Sequence, residues 1–423
     1  MDESGPELFL KREVASKVKE SKRFSLSSRA SRAIACSAAP MSPAPFTVVF
    51  VGAGEINFGS PEGPWNHSKR LENRFGRSLA VLGIIDPDTA RAELQIAAKI
   101  KQGTHGYGET AIWATPEAAG QALAGEQVDL VIVGAPPHFR GCAAPPADLD
   151  LLLIAALPRT KRWLVEKPVS AAPPTALNGQ EKVAQAYADT GAVVGAGYMM
   201  CALKGVQAIQ EMIEAKGLKV MGTAARYYMA YEYARKPAWW NKQISCGPIV
   251  EQATHLASLS LLFGGPARLS SVRTHTVEHV DEPGRLTKIG FDEETSVEPG
   301  SRIPRYTSAV WKYKSGAVGS LTHAVALHGT TYDTELEVIC DGTTFKLVDM
   351  YTDTPRLFIR QSDSSSEVEV HAFANDDPFQ TQIDALVAGR PKCTFEEALQ
   401  TYQLTWAIRE AGERERLEDA REE

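Results

Sequence analysis

Two short stretches of the chain carry side chains that could manage a proton. The first is Trp163-Leu-Val-Glu-Lys-Pro168 and the second is Gly247-Pro-Ile-Val-Glu-Gln-Ala-Thr-His255. In the first, Pro168 biases Lys167 towards an extended backbone, so that the Lys leaves the end of an apolar run pointing outward. A lysine whose pKa falls there, near a cationic nicotinamide and in a partly desolvated pocket, is a proton acceptor as the amine or an anchor for a hydroxyl, although an isolated Glu-Lys-Pro is more simply a surface Lys paired with a neighbouring acid. In the second, Gly247-Pro248 is a sound helix start, and the spacing of Ile249, Val250, Ala253, Leu256 and Leu259 continues the helix. Glu251 and His255 then stand at i and i+4 on one face. That geometry suits a carboxylate that orients an imidazole, and an imidazole exchanges a proton near neutral pH. An ordinary surface Glu/His pair would have the same spacing.

A third stretch, Val49-Phe-Val-Gly-Ala-Gly54, stands upstream of both. A glycine-rich turn gains meaning when it follows a buried strand: Gly52 permits the tight turn, and Gly54 lets backbone N–H groups approach a pyrophosphate. The third glycine of such a motif is absent, and Asn57 takes its place. Phe58 to Asn66 reads as an insertion that delays the first helix to about His67 to Phe75. Asp86 ends the next apolar run, where a carboxylate accepts hydrogen bonds from an adenosine ribose and repels a 2′-phosphate, so that NAD is favoured over NADP. A turn Asp before Pro87 is the plain alternative. Gly134-Ala-Pro-Pro-His138 places a small-residue loop at another strand end, with His138 facing a cofactor or capping the next segment.

The elements that must position these groups fall into two textures. Phe46 to Val51, Leu79 to Ile85, Thr110 to Trp113, Val128 to Val133, Arg162 to Val165 and Ala192 to Ala196 read as strands. Helical patterns lie between several of them at Asp88 to Lys101, Pro116 to Leu123 and Pro173 to Ala188. That alternation implies a doubly wound parallel sheet. Beyond about Tyr198, a helix from Leu203 to Glu214 leads to strand-like segments at Val220 to Tyr231, Leu269 to His279, Thr307 to Tyr313, Ala317 to Leu327, Glu335 to Cys340 and Thr343 to Asp349. Several are joined by turn signals alone, such as Lys314-Ser-Gly316 and Asp341-Gly342, which points to a mostly antiparallel sheet. Asp281 to Pro304 reads as a long loop and Ser362 to Ser366 as a short one. Pro378 to Gly389 and Thr394 to Gly412 read as helices, with a charged tail beyond. The expected organisation is a disordered extension over 1–44, a Rossmann domain over 45–198 and an α+β substrate-binding and oligomerisation domain over 199–423.

The 423 residues carry a net charge of −7, with 43% hydrophobic and 23% charged residues. An acidic balance without clustered Lys and Arg argues against a nucleic-acid partner. No apolar run reaches the roughly 18 residues needed to span a bilayer, so no membrane partner is expected. The six cysteines, at 36, 142, 201, 246, 340 and 393, lack any Cys-x-x-Cys spacing. Neither a zinc site nor a disulfide framework is indicated, and a reducing intracellular home follows. The Ser/Ala/Arg-rich segment from Ser21 to Pro40 resembles an organellar transit sequence. Five acids in residues 1–20 and Met41 just before the first strand weigh against it. The expectation is a cytoplasmic protein, with the mitochondrion as the alternative if residues 1–40 act as a presequence.

Taken in order, these motifs resemble the glucose–fructose oxidoreductase / inositol dehydrogenase family of NAD(P)-dependent enzymes. The resemblance spans about residues 45 to 415 and includes Ser315-Gly-Ala-Val-Gly-Ser-Leu321 and the closing run from Phe379 through Ile383, Ala385 and Gly389-Arg-Pro391. It implies a Rossmann domain joined to an open antiparallel sheet used for contacts between copies of the chain. It also implies a small-molecule substrate, a sugar or cyclitol whose secondary alcohol and ketone are interconverted. Carried over by the resemblance, Lys167, Glu251 and His255 are catalytic, with Glu251 standing where the family has Asp. Gly52, Gly54, Glu55, Ile56, Asp86, Pro136, Glu166 and Lys167 are the cofactor-binding residues, for NAD, with NADP the alternative. No metal site is expected. Tyr198, Tyr227, Tyr231, Trp239 and Trp240 are candidates for the substrate pocket wall or for the core. The rival readings are a catalytically silent dinucleotide-binding regulator and an NAD-dependent, redox-neutral glycosidase.

Overall fold

Every other side chain of the strand Phe46–Val51 (β1) enters a different apolar core. Val49 and Val51 pack into one, Val48 and Phe50 into the other, and all four are at most 2% exposed. A strand buried on both faces requires helices above and below, which is the condition for a parallel sheet. The computed structural model describes residues 44–60, 63–173, 177–362 and 368–422, and the expectations for residues 1–40 lie outside them. Ala44–Glu423 form one compact unit.

Within it, β1 is joined by β2 (Leu79–Ile85), β3 (Ala111–Trp113), β4 (Leu130–Val133), β5 (Arg162–Val165) and β6 (Val193–Ala196) in the order β3-β2-β1-β4-β5-β6, all parallel. The strand order reverses between β1 and β4. Open α/β sheets bind ligands at that point, outside the carboxyl ends of the strands. The helices that make the crossovers include His67–Phe75, with Asn66 as N-cap, Thr89–Lys101, with Asp88 as N-cap, and Pro116–Ala122, with Thr115 as N-cap. Leu149–Ala156, which the sequence reading passed over, links β4 to β5.

The second sheet contains β7 (Val220–Ala230), β8 (Arg273–Val277), β9 (Tyr306–Lys312), β10 (Val318–Leu327), β11 (Asp333–Cys340), β12 (Thr343–Val348), β13 (Arg356–Gln361) and β14 (Glu369–Ala372). Their order is β14-β13-β12-β11-β7-β10-β9-β8, antiparallel throughout except for the parallel pair β7 and β10. The turns at 314–316 and 341–342 close the hairpins β9–β10 and β11–β12, as their composition predicts. β13 and β14 were not anticipated. The short loop expected at Ser362 to Ser366 falls almost wholly outside the described residues.

Three expectations need correction. The segment from Asp281 to Pro304 is not a free loop. Its Val297 and Ile303 are buried, the Arg302–Glu294 ion pair at 2.9 Å braces it internally, and Arg305, just beyond its end, pairs with its Glu293 at 2.5 Å. The charged tail is helical, the last helix running over Phe395–Glu422. The strand expected over Leu269 to His279 is shorter, because Leu269–Ser271 makes a helical turn before β8. Among the described residues no helix is long and apolar enough to cross a membrane.

Candidate active site

The turn after β1 is shaped by what cannot fit there. Gly52 has φ 91°, and a Cβ added to it would lie 3.2 Å from the backbone N of Ala135. At Gly54 an added Cβ would meet nothing within 4 Å, so the backbone there borders open space. Asn57, fully buried, donates from Nδ2 to Val51 O at 3.1 Å and Gly52 O at 2.7 Å. The residue in place of a third glycine therefore braces the turn. It also occupies the room beside Gly134, where a Cβ would stand 2.6 Å from its amide. The expected delay of the first helix is corrected in part. Glu55–Phe58 is already helical, and His67–Phe75 follows after the inserted segment.

Asp86, 1% exposed, lies beneath the same turn. Its carboxylate accepts from Ala53 N at 2.6 Å and Asp88 N at 2.8 Å, and both oxygens are 2.9 Å from Arg91 Nη2. The guanidinium beside it was not anticipated from sequence. His138 is exposed and lies against Phe139, at a ring separation of 4.1 Å, outside the cleft lining.

A cleft of about 660 Å³ opens at the carboxyl end of the parallel sheet and against the second sheet. Its lining brings together seven of the predicted site residues: Glu55, Ile56, Pro136, Glu166, Lys167, Glu251 and His255. Lys167 leaves the end of β5 and donates to Glu251 O at 2.8 Å and to Glu251 Oε1 at 3.2 Å. Glu166 accepts the Lys167 backbone N–H at 3.0 Å and pairs with buried His67 Nε2 at 2.7 Å.

The role read for Glu251 as the group that orients His255 does not survive. The helix ends at Glu251 and a new one starts at Thr254, so the two side chains are not on one continuous turn. The carboxylate turns to the stronger partner, the Lys167 ammonium, and also accepts from Trp239 Nε1 at 3.3 Å. His255 instead stands edge-on to Tyr198 and Tyr351, its Nδ1 without a hydrogen-bond partner. Burial first and the charge of Lys167 second hold its pKa well below the ordinary histidine value. The imidazole is therefore neutral at neutral pH.

Of the five aromatic candidates, Tyr227 lines the cleft. Tyr198 is buried and hydrogen-bonded to Thr254 Oγ1 at 2.9 Å, while Tyr231 and Trp240 belong to the core. The remaining wall comes from residues that periodicity did not single out: Trp65, Tyr332, Tyr351, Phe379 and Arg140. Gln252, between the two helices, reaches His323 Nε2 at 3.0 Å. That histidine stacks on Tyr227, and burial lowers its pKa to about 3. Two had a signal: Trp65 lies in the inserted run before His67, and Phe379 opens the closing run of the resemblance. The others stand on segments far apart in sequence.

Comparison with known proteins agrees with the two-part fold. Residues 46–198 match the model described as oxidoreductase family, NAD-binding Rossmann fold, and residues 201–343 match a model of an oxidoreductase C terminal domain. Two uncharacterised proteins of Schizosaccharomyces pombe are each 37% identical to the chain. One alignment covers 86% of the chain and 96% of the relative, the other 87% and 91%. Among solved structures, UDP-N-acetylglucosamine 3-dehydrogenase from Acidithiobacillus ferrooxidans superposes with a TM-score of 0.60 at 16% identity, covering 87% of this chain and 97% of that one. A 3-ketoreductase from Actinomadura kijaniata, solved with NADP and TDP-benzene, gives 0.59 at 16% identity, covering 87% and 98%. The WlbA dehydrogenase of Bordetella pertussis, solved with NADH and UDP-GlcNAcA, gives 0.60 at 14% identity, covering 87% and 97%. At these identities the likeness is one of fold.

Proposed function

The chain belongs to the oxidoreductase family with an NAD-binding Rossmann fold, and from that premise we propose that it transfers a hydride between nicotinamide and a secondary alcohol or ketone of a sugar-like or cyclitol-like molecule. The observation that carries this reading is the convergence of Lys167, held by Glu251, and a neutral His255 in one cleft at the switch point of the parallel sheet. The residues present fit the cofactor. The open backbone at Gly54 and the side-chain-free turn at Gly52 would hold the pyrophosphate, Asp86 the adenosine ribose, and Pro136 and Glu166 the nicotinamide end. The nicotinamide, when bound, supplies the site that takes or gives the hydride.

The chain's own groups then handle the hydroxyl. His255, kept neutral by burial, accepts its proton in the oxidising direction. The Lys167 ammonium, positioned by Glu251, donates a hydrogen bond to the reacting oxygen and stabilises charge that builds on it. Tyr227, whose pKa burial raises well above the usual phenol value, stays a protonated donor in the wall. Thr330, Thr331 and Thr352 add hydroxyls on the opposite rim, a composition suited to a polyhydroxylated ligand. NADH formation by the full chain with NAD and a panel of sugars, cyclitols and polyols tests the proposal. Absence of turnover across the panel in both directions sinks it.

Two further results are expected. The pH profile of kcat/KM for alcohol oxidation places its acid limb well below pH 6.5, because protonation removes the base only once pH falls through the lowered His255 pKa. His255→Asn removes the limb along with most of the activity. A limb at or above 6.5 contradicts the assignment. For the cofactor, the buried Asp86 carboxylate favours NAD, and Asp86→Ser both removes its charge and frees the Arg91 guanidinium. The ratio of NADP to NAD affinity should then rise on the order of tenfold. Titration of each cofactor against both proteins measures it, and an unchanged ratio removes Asp86 from the ribose.

A further inference from the structure

One side chain in the cleft is held at one end by a buried histidine and has its other end to spare. Gln252 stands in the break between the helices Gly247–Glu251 and Thr254–Gly264, is half-buried, and lines the cleft together with Glu251 and His255. Its Oε1 lies 3.0 Å from Nε2 of His323, which is 1% exposed on β10 and stacks on Tyr227 at a ring separation of 5.3 Å. Burial keeps that imidazole neutral, and its Nδ1 is enclosed without a hydrogen-bond partner. Of the two neutral forms, the one protonated at Nδ1 would enclose an N–H with no acceptor, a fault that folded proteins rarely tolerate. Protonation at Nε2 encloses only a lone pair there. Nε2–H therefore donates to Gln252 Oε1, and the carboxamide NH2 is the end left over. Among the described residues nothing accepts from that nitrogen, and unlike His323 Nδ1 it is not shut away from solvent.

The neighbours of this NH2 say which part of a ligand it would meet. The Lys167 ammonium donates, at 2.8 Å, to the carbonyl of the peptide bond that joins Glu251 to Gln252. The ammonium and the carboxamide therefore stand at adjoining points of one turn. The His255 backbone N–H bonds back to Gln252 O at 3.5 Å, which ties the imidazole to the same turn. Lys167 and His255 share the reacting hydroxyl, so a further donor from that turn reaches the next oxygen along the ring. We infer that Gln252, oriented by His323, donates to the oxygen on the carbon beside the reacting one and so selects vicinal diols, an inference that rests on the cleft being the substrate site proposed above. A site with a donor placed for one hydroxyl rejects the analogue that lacks it, because the donor is then left unpaired.

The test compares three cyclic alcohols that differ only in their hydroxyls: trans-cyclohexane-1,2-diol, trans-cyclohexane-1,4-diol and cyclohexanol. Binding to the full chain with NADH present is followed by ligand-observed NMR, and oxidation with NAD by NADH absorbance. The wild-type protein is expected to bind the 1,2-diol about tenfold more tightly than the 1,4-diol, the size of one neutral hydrogen bond. Gln252→Leu, close in volume and without the donor, removes that preference by weakening the 1,2-diol alone, whereas a purely structural role for Gln252 would weaken all three alcohols alike. His323→Phe keeps a ring against Tyr227 and frees the carboxamide, so it lowers the preference in part and serves if the leucine variant fails to fold. Equal or absent binding of the two diols by the wild type overturns the inference. So does a preference that Gln252→Leu leaves intact, or a loss shared equally by the three alcohols. Preferential binding of the 1,2-diol without any turnover would leave Gln252 as the donor and sink the dehydrogenase reading instead.

Discussion

Lys167→Met lowers kcat/KM about a thousandfold, within the range that a positioned proton-transfer or charge-stabilising group contributes. The reason is local. Methionine keeps the apolar stem and its packing but removes the ammonium that Glu251 positions in the cleft. The Glu251 carboxylate left behind is 34% exposed, so it remains hydrated and the fold is not forced to rearrange around a buried charge. NADH titration and a thermal melt accompany the kinetics. Turnover within about tenfold of wild type removes Lys167 from the chemistry. Loss of activity together with a lowered melting temperature would make its role structural.

Gly141→Ala is expected to be the most destabilising single-methyl change near the cleft. Gly141 has φ 84°, in the left-handed region, and an added Cβ would lie 2.2 Å from Val169 O and 2.5 Å from Ser170 Cβ. Both contacts are to the segment that follows Lys167-Pro168, so the backbone must shift where the site is built. Backbone strain and overpacking together cost about 4 kcal/mol, which for a chain of this size lowers the melting temperature by roughly 5 °C. The movement also loosens the Gly141 N–H bond to Asp150, now 2.7 Å. A thermal melt within about 1 °C of wild type would show that the loop adapts without cost.

Much of the fold was legible because its signals are local. β1 reads as buried on both faces from six consecutive residues, and the hairpin turns at 314–316 and 341–342 from theirs. The helix starts at Asp88, Thr115 and Asp377 are announced by side chains that accept a backbone N–H. The break between Glu251 and Thr254 carries no glycine or proline, so periodicity ran straight through it. β14 is an edge strand of the second sheet and is exposed at all four residues, so it carries no alternation to read.

The sequence by itself determined which chemistry was on offer: a glycine turn after a buried strand, a carboxylate at the end of β2, a lysine at the end of β5 and a histidine on a later helix. Each depends on a few adjacent residues and on the strand or helix that carries them. Only the tertiary structure decided which groups act on one another. Glu251 serves Lys167 rather than His255, His67 takes Glu166, and Arg91 takes Asp86. These outcomes follow from competition among charges brought together across long stretches of chain. In a buried site a carboxylate goes to the nearest cation that can share its burial, and sequence spacing does not record that distance.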